Sequence, residues 1–304
     1  MTTGSVSRAL KLARPLDVAL TLRLLRRGVG DPTMRIRDRE VWRASRASRG
    51  PATLRVTSSG TLLEAEAWGP GREETLESVP DLVGFRDTVD DFEPGHPLVS
   101  RLHRQRPGLR IPRTNAVLEA IVPAVLEQKV TGLEFRRSWR RMVLSFSEPA
   151  PGPGGLVLPP SAEELIARSY PEWHPLGVER RRAEVIRELA RHARRLEAMS
   201  SLPPSESARR LLAFPGVGPW TVAEVALRAF GDSDAVSVGD YHVPHLVSWA
   251  LAGERRGSDA RMLELLEPYR GHRGRVVRLL ELGAAHPPRR GPRLPPRNHV
   301  RSGW

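Results

Sequence analysis

The sequence predicts an α+β protein, with an N-terminal antiparallel sheet lobe followed by an all-helical domain. Three observations point there. Apolar residues in the first part of the chain alternate at period two, as on strands with one buried face. From Thr114 onward the apolar spacing becomes helical. Between two of the helical stretches sits Pro215-Gly216-Val217-Gly218-Pro219, which cannot continue a helix and must turn. The 304 residues are enough for two domains with a substantial core. The expected organisation is an α+β lobe over residues 1–105, a helical domain built around the hairpin over 106–285, and a disordered basic tail rich in Pro and Arg over 286–304.

In the lobe, Leu16, Val18, Leu20 and Leu22 share one parity and read as a strand. Leu54 and Val56 read as a second, and Ser58-Ser59-Gly60 marks a turn into Leu63, Ala65 and Ala67. Residues 71–92 look helical and partly acidic, and Trp42 and Trp68 read as core or sheet-face residues. In the helical domain, Ala116, Ala120, Ile121, Ala124, Val125 and Gln128 fall near one face, and the pattern continues through Phe135, Trp139, Met142 and Val143. Glu148–Pro160 is a low-complexity loop, after which Ser161 with Glu164 three residues later reads as a helix start. The tail has no apolar periodicity and is expected to add nonspecific affinity for a polyanion.

The glycine pair carries chemistry. Glycine reaches positive φ and admits a close backbone, so the N–H groups of Gly216, Val217 and Gly218 and the start of the next helix, with Thr221, can face a phosphate oxygen. That grips a nucleic-acid backbone without reading sequence. A plain helix connection uses the same residues. Twenty residues past Trp220 comes a lone carboxylate, Asp240. A carboxylate so placed can stabilise a developing positive charge and orient water. Asp240 also reads as a helix cap, since the apolar-periodic stretch Val243, Leu246, Val247, Ala250 follows it. The two roles are compatible.

Four runs in order carry a family resemblance: Arg106-Pro107-Gly108-Leu109-Arg110-Ile111-Pro112, Gln128-Lys129-Val130-Thr131, Phe214-Pro215-Gly216-Val217-Gly218-Pro219-Trp220-Thr221 and Gly239-Asp240-Tyr241. On these the chain resembles the helix–hairpin–helix DNA glycosylase superfamily, and within it the bacterial 3-methyladenine DNA glycosylase II type, over roughly residues 100–285. The resemblance implies a TATA-binding-protein-like N-terminal lobe before a helix–hairpin–helix glycosylase domain, and release of alkylated purines from duplex DNA in base-excision repair. It makes Asp240 the catalytic residue and Gln128, Lys129, Gly216, Val217, Gly218 and Thr221 the DNA-binding set. Trp220, Tyr241 and Tyr269 become candidates for a base pocket, with π–cation attraction for a cationic alkylated base.

Some members of the superfamily also cut the strand with a lysine just after the hairpin, where this chain has Trp220; its lysines are Lys11 and Lys129 alone. The resemblance therefore implies a monofunctional DNA glycosylase without AP lyase activity. It also implies a monovalent cation on the carbonyls of Leu212, Phe214 and Val217, with no other cofactor required. Two departures bear on lesion range. Lys129 stands where the family places an apolar wedge, and Tyr269 where it tends to place a tryptophan. They keep open a noncatalytic DNA-binding helix–hairpin–helix protein, or a glycosylase for a different lesion such as uracil or a deaminated purine.

Composition agrees. Formal net charge is +13, which suits a polyanionic partner. The excess lies at the two ends, with residues 51–285 neutral, so local arginines such as Arg270, Arg273, Arg275 and Arg278 would have to supply any basic face there. Zero cysteines exclude disulfides and a Cys-ligated iron–sulfur cluster. His242 and His245 beside Asp240 fall short of a zinc ligand set. The apolar runs are too short for a membrane span and Met1–Gly30 lacks a secretory core, so a cytoplasmic, chromosome-associated monomer on damaged double-stranded DNA is expected.

Overall fold

The computed structural model describes residues 4–14 and 16–287. Five strands form one antiparallel sheet: β1 (Val6–Lys11), β2 (Met34–Arg37), β3 (Glu40–Ala47), β4 (Gly50–Ser59) and β5 (Leu62–Trp68), in the order β1-β5-β4-β3-β2. The register sets Val56 opposite Val41 and Ala65, so one face is uniformly apolar. That face packs Val41, Leu54, Val56, Leu63 and Ala65 under the helices α1 (Val18–Leu22) and α2 (Arg72–Glu77).

The expectation of a strand through Leu16–Leu22 is corrected here. Asp17 accepts the Leu20 N–H at 2.8 Å and caps α1 instead. Val18, Ala19 and Leu22 then bury one helical face, a pattern that period-two parity over so few residues does not distinguish from a strand.

The opposite sheet face carries Trp42 and Trp68, stacked with ring centroids 5.3 Å apart. The low-complexity loop lies over them, and Leu156 and Leu158 pack beside Trp42 and Ala44. Its glycines follow from that closeness: a Cβ on Gly154 would stand 2.9 Å from the Trp42 ring.

The helical part comprises α3 (Pro97–Arg104), α4 (Val117–Glu127), α5 (Gly132–Phe146), α6 (Arg180–Arg191), α7 (Pro204–Leu212), α8 (Pro219–Val225), α9 (Val243–Ala252), α10 (Asp259–Leu266) and α11 (Arg273–Gly283), with shorter turns between. Ser161 and Glu164 form the expected reciprocal cap. One core joins α4 to α8 through residues such as Ile121, Trp139, Ile186, Leu211 and Val225. A second joins α3 to α9, α10 and α11 through Leu102, Val247, Met262 and Leu280. The connection from α8 to α9, which holds Asp240, bridges the two. Because α3 packs with the C-terminal helices, the division expected at residue 105 does not separate the cores. The tail expected over 286–304 falls, from residue 288 on, outside the described residues.

Arg275 fastens this second core to the chain leading out of the lobe. It is 1 % exposed and forms a bidentate pair with Asp87, whose carboxylate also accepts the Ile111 N–H at 2.8 Å. Removing one partner strands the other charge, so Arg275→Ala is expected to cost roughly 3–5 kcal/mol in urea unfolding. A loss under about 1 kcal/mol would show that water satisfies the freed Asp87.

Candidate functional site

The hairpin runs from the end of α7 to the start of α8. Gly216 has φ +85°, and a Cβ there would come 2.5 Å from Val185 Cγ2 on α6, so the turn admits only glycine without movement. Val217 is buried and its N–H bonds the Phe214 carbonyl at 3.1 Å, while Gly218 precedes the first turn of α8. Gln128, at the end of α4, donates its side-chain amide to the Gly216 carbonyl at 3.0 Å and to Thr221 Oγ1 at 2.8 Å. Its role is therefore to clamp the hairpin. Lys129 is exposed with φ +56°, a conformation uncommon for a side chain other than Asn, Asp or Gly. Thr131 then starts α5 with a reciprocal Glu134 cap.

Asp240 is tied on both oxygens. Trp220 Nε1 donates to Oδ2 at 3.0 Å, and the His242 and Val243 N–H groups donate to Oδ1 at 2.6 and 2.9 Å. The carboxylate caps the entrance to α9, as the cap reading expects, and is also fixed against the first turn after the glycine pair. Tyr241 beside it is 78 % exposed and meets His242 and His245 edge-on. The His245 ring accepts the Gly257 N–H at 3.0 Å.

Tyr269 requires a correction. It is only 7 % exposed, lies in the second core near Phe92, and its hydroxyl accepts the His96 N–H at 3.1 Å. A ring already covered by core side chains offers no face to an extruded base. Arg270, Arg273, Arg275 and Arg278 are likewise committed, to Glu267, Asp234, Asp87 and Glu281 respectively.

Sequence reasoning missed a charged stripe that continues from Trp220 along α8. Trp220, Glu224 and Arg228 follow one another at four-residue steps along α8 and the single π turn Ala226–Phe230, so they share a face. Glu224 accepts from Ser237 Oγ at 2.7 Å and from Arg228 at 2.6 Å, and Arg228 reaches the Leu24 carbonyl of the lobe at 3.2 Å. Arg278 and Glu281 of α11 pair at 3.3 Å. Burial pushes the Glu281 carboxyl up, with the charge of Glu224 adding and those of Arg278 and Arg228 opposing. Glu127, the last residue of α4, is pushed up chiefly by burial, with the charges of Glu224 and Asp240 adding and those of Arg27 and Arg228 opposing. Charged residues at four-residue spacing on an otherwise apolar helix were the available signal. A separate cavity of about 40 Å³ between the lobes, lined by Arg27, Trp139 and Arg228 among others, does not include Asp240.

The hairpin carbonyls that could hold a monovalent cation are largely free of other partners among the described residues. Those of Leu212 and Val217 accept no hydrogen bond among the described residues, and that of Phe214 keeps a lone pair beyond its bond to Val217. Among the described residues no group of three or more His, Cys, Asp or Glu could hold a metal, and no helix is long and apolar enough to cross a membrane.

No family model matches the chain. Over 140 residues it is 36 % identical to a probable bifunctional transcriptional activator/DNA repair enzyme AlkA of Mycobacterium tuberculosis, covering 44 % of this chain and 27 % of that protein. Over 176 residues it is 27 % identical to DNA-3-methyladenine glycosylase 2 of Escherichia coli, covering 57 % and 61 %. It thus spans less than two thirds of the length of either relative. The 3-methyladenine DNA glycosylase of Archaeoglobus fulgidus superposes with a TM-score of 0.76 at 20 % identity, over 90 % of this chain and 97 % of that one. The chain has the helix–hairpin–helix DNA glycosylase fold and resembles 3-methyladenine DNA glycosylase II in sequence.

The hairpin supplies a stability test. Gly216→Ala must hold a side chain at positive φ and displace Val185, and is expected to cost about 1–3 kcal/mol. Thermal unfolding checks it; an unchanged midpoint would mean that α6 gives way freely.

Proposed function

We propose that this protein is a monofunctional DNA glycosylase of base-excision repair, which extrudes alkylated purines from duplex DNA and hydrolyses their N-glycosidic bond. The observation that carries the reading is the Trp220–Asp240 hydrogen bond at 3.0 Å. It couples the sole carboxylate of the motif to the helix whose start faces a phosphate, so a backbone held by Gly216–Gly218 presents its sugar to Asp240 in a fixed relation.

The residues divide the work. With the Val217 N–H held by the Phe214 carbonyl, the Gly216 and Gly218 N–H groups and the start of α8 take a phosphate, positioned without sequence readout. A cation on the Leu212, Phe214 and Val217 carbonyls would add positive charge to that grip. Asp240 stabilises the sugar as it becomes cationic and orients water to its far face. Trp220 and the exposed Tyr241 offer aromatic faces beside it, and Lys129 occupies the position from which the gap left by the extruded base is reached. Trp220 in place of a lysine leaves no amine to form a Schiff base, which argues against strand cleavage. The protein would act as a monomer on the chromosome.

Two outcomes test this. Asp240→Asn is expected to keep duplex binding and lose release of 7-methylguanine from methylated DNA by at least about 100-fold; wild-type rates in the variant would remove Asp240 from the chemistry. Borohydride added during turnover is expected to trap no enzyme–DNA adduct, and a trapped adduct would overturn the monofunctional assignment.

A further inference from the structure

The outer face of α5 carries charge of one sign. Arg136, Arg137, Arg140 and Arg141 are exposed, and none of them pairs with a carboxylate among the described residues. Arg140 and Arg141 donate instead to carbonyls, of Gly30 at 2.8 Å and Pro175 at 3.4 Å. Like charges four residues apart destabilise a helix, so this face is unfavourable until an anion meets it. Opposite lies the lobe loop that leads to β2. Arg26 Nη2 donates to the Val29 carbonyl at 2.6 Å, and the Asp31 carboxylate accepts the Arg27 N–H at 2.7 Å and Trp139 Nε1 of α5 at 3.0 Å. That binding turns Asp31 inward and leaves Val29 at the tip, 88 % exposed. Between loop and helix is an open recess of about 440 Å³, lined by Gly28–Gly30 and by Arg27, Arg136, Arg137 and Arg140, with no acidic side chain in its lining. The glycines make room for the arginines: a Cβ on Gly28 would stand 2.3 Å from Arg136 Cδ, and one on Gly30 3.6 Å from Arg140 Nη1.

We propose that this recess is a second phosphate-binding site, which holds the backbone of the same duplex beyond the hairpin. The inference rests on the DNA-binding part of the reading above. Guanidinium forks match phosphate oxygens two at a time, and those of Arg136 and Arg137 have no other hydrogen-bond partner among the described residues. Contacts of this kind fix where a duplex lies without reading its sequence.

Continuity with the hairpin identifies the anion. The Arg136 side chain runs back along α5, where a Cβ on Gly132 would stand 3.5 Å from its Nη1. Gly132 opens α5 and lies four residues from Gln128, which bonds the hairpin directly, a span of at most about 14 Å of chain. A duplex carries one phosphate per about 1.7 Å of its axis, so one seated on Gly216 and Gly218 brings several more past that distance. The exposed Lys129 lies on the way between the two sites. Arg26 and Arg27 belong to the basic first fifty residues, so part of the charge excess that the sequence located at this end is brought against α5 by the fold.

Fluorescence anisotropy with an undamaged duplex, over about 50–300 mM salt, tests the site. Wild type is compared with Arg136→Ala/Arg137→Ala and with Arg8→Ala/Lys11→Ala, which removes the same charge from β1, at the sheet edge opposite β2. Each phosphate contact adds about 0.9 to the slope of log Kd against log salt, so the α5 pair is expected to flatten that slope by about 1.8 and the β1 pair by less than about 0.3. Equal slopes in all three proteins, or equal flattening in both variants, overturn the site. The chain has no cysteine, so Val29→Cys carries a single exposed thiol whose alkylation is expected to slow when duplex binds. Unchanged alkylation with duplex bound overturns the site and leaves the hairpin as the DNA grip. A wild type that binds no duplex overturns the DNA-binding reading and this site together, whereas failure to release 7-methylguanine with duplex bound and Val29→Cys protected overturns the glycosylase reading alone.

Discussion

The geometry of the site depends on how the first turn of α8 is held. Gln128 spends both amide hydrogens there, on the Gly216 carbonyl and the Thr221 hydroxyl, and Trp220 between them reaches Asp240. A helix start has unpaired N–H groups that point outward, and the glycine pair lets a partner approach them. Without the clamp from α4 the hairpin would be one mobile turn among several. With it, the phosphate-facing groups and the carboxylate share one rigid frame, which is the condition for oriented catalysis.

The charged stripe behind that frame is organised on the opposite principle to the two cores. Ile121, Leu211 and Val225 fill their space with apolar contacts, whereas Glu224 with Arg228 and Glu281 with Arg278 meet as ion pairs. Ion pairs of this kind contribute little net stability, because desolvation offsets their attraction. The Arg228 side chain also reaches the lobe through the Leu24 carbonyl, so the same stripe that starts at Trp220 joins the sheet lobe to the helical part.

What the sequence made legible follows the range of the interactions. The strands around Leu54, Val56 and Leu63, the Ser161 cap, the hairpin and Asp240 all rest on residues within a few positions of one another. The misplaced elements needed longer reach. Residues 16–22 have a parity that suits a strand or one helical face, and the Asp17 cap decides between them. Tyr269 was placed by its distance along a motif, but contacts with Phe92 and His96, more than 170 positions away, put it in a core. The charged stripe was invisible for the same reason: Arg228 reaches the Leu24 carbonyl, more than 200 positions away.

Residues 127–131 show why so short a segment resists change. Glu127 ends α4, Gln128 holds the hairpin, Lys129 turns the chain at positive φ, and Thr131 starts the next helix. Gln128 has already left the helix at φ −58° and ψ 123°, so the left-handed residue after it sets where Thr131 begins α5. Glycine would meet that backbone need at less cost, so a lysine held at φ +56° and left exposed means that the side chain earns its place outside the fold. That strain is retained at an exposed, charged position between the clamp and the glycine hairpin.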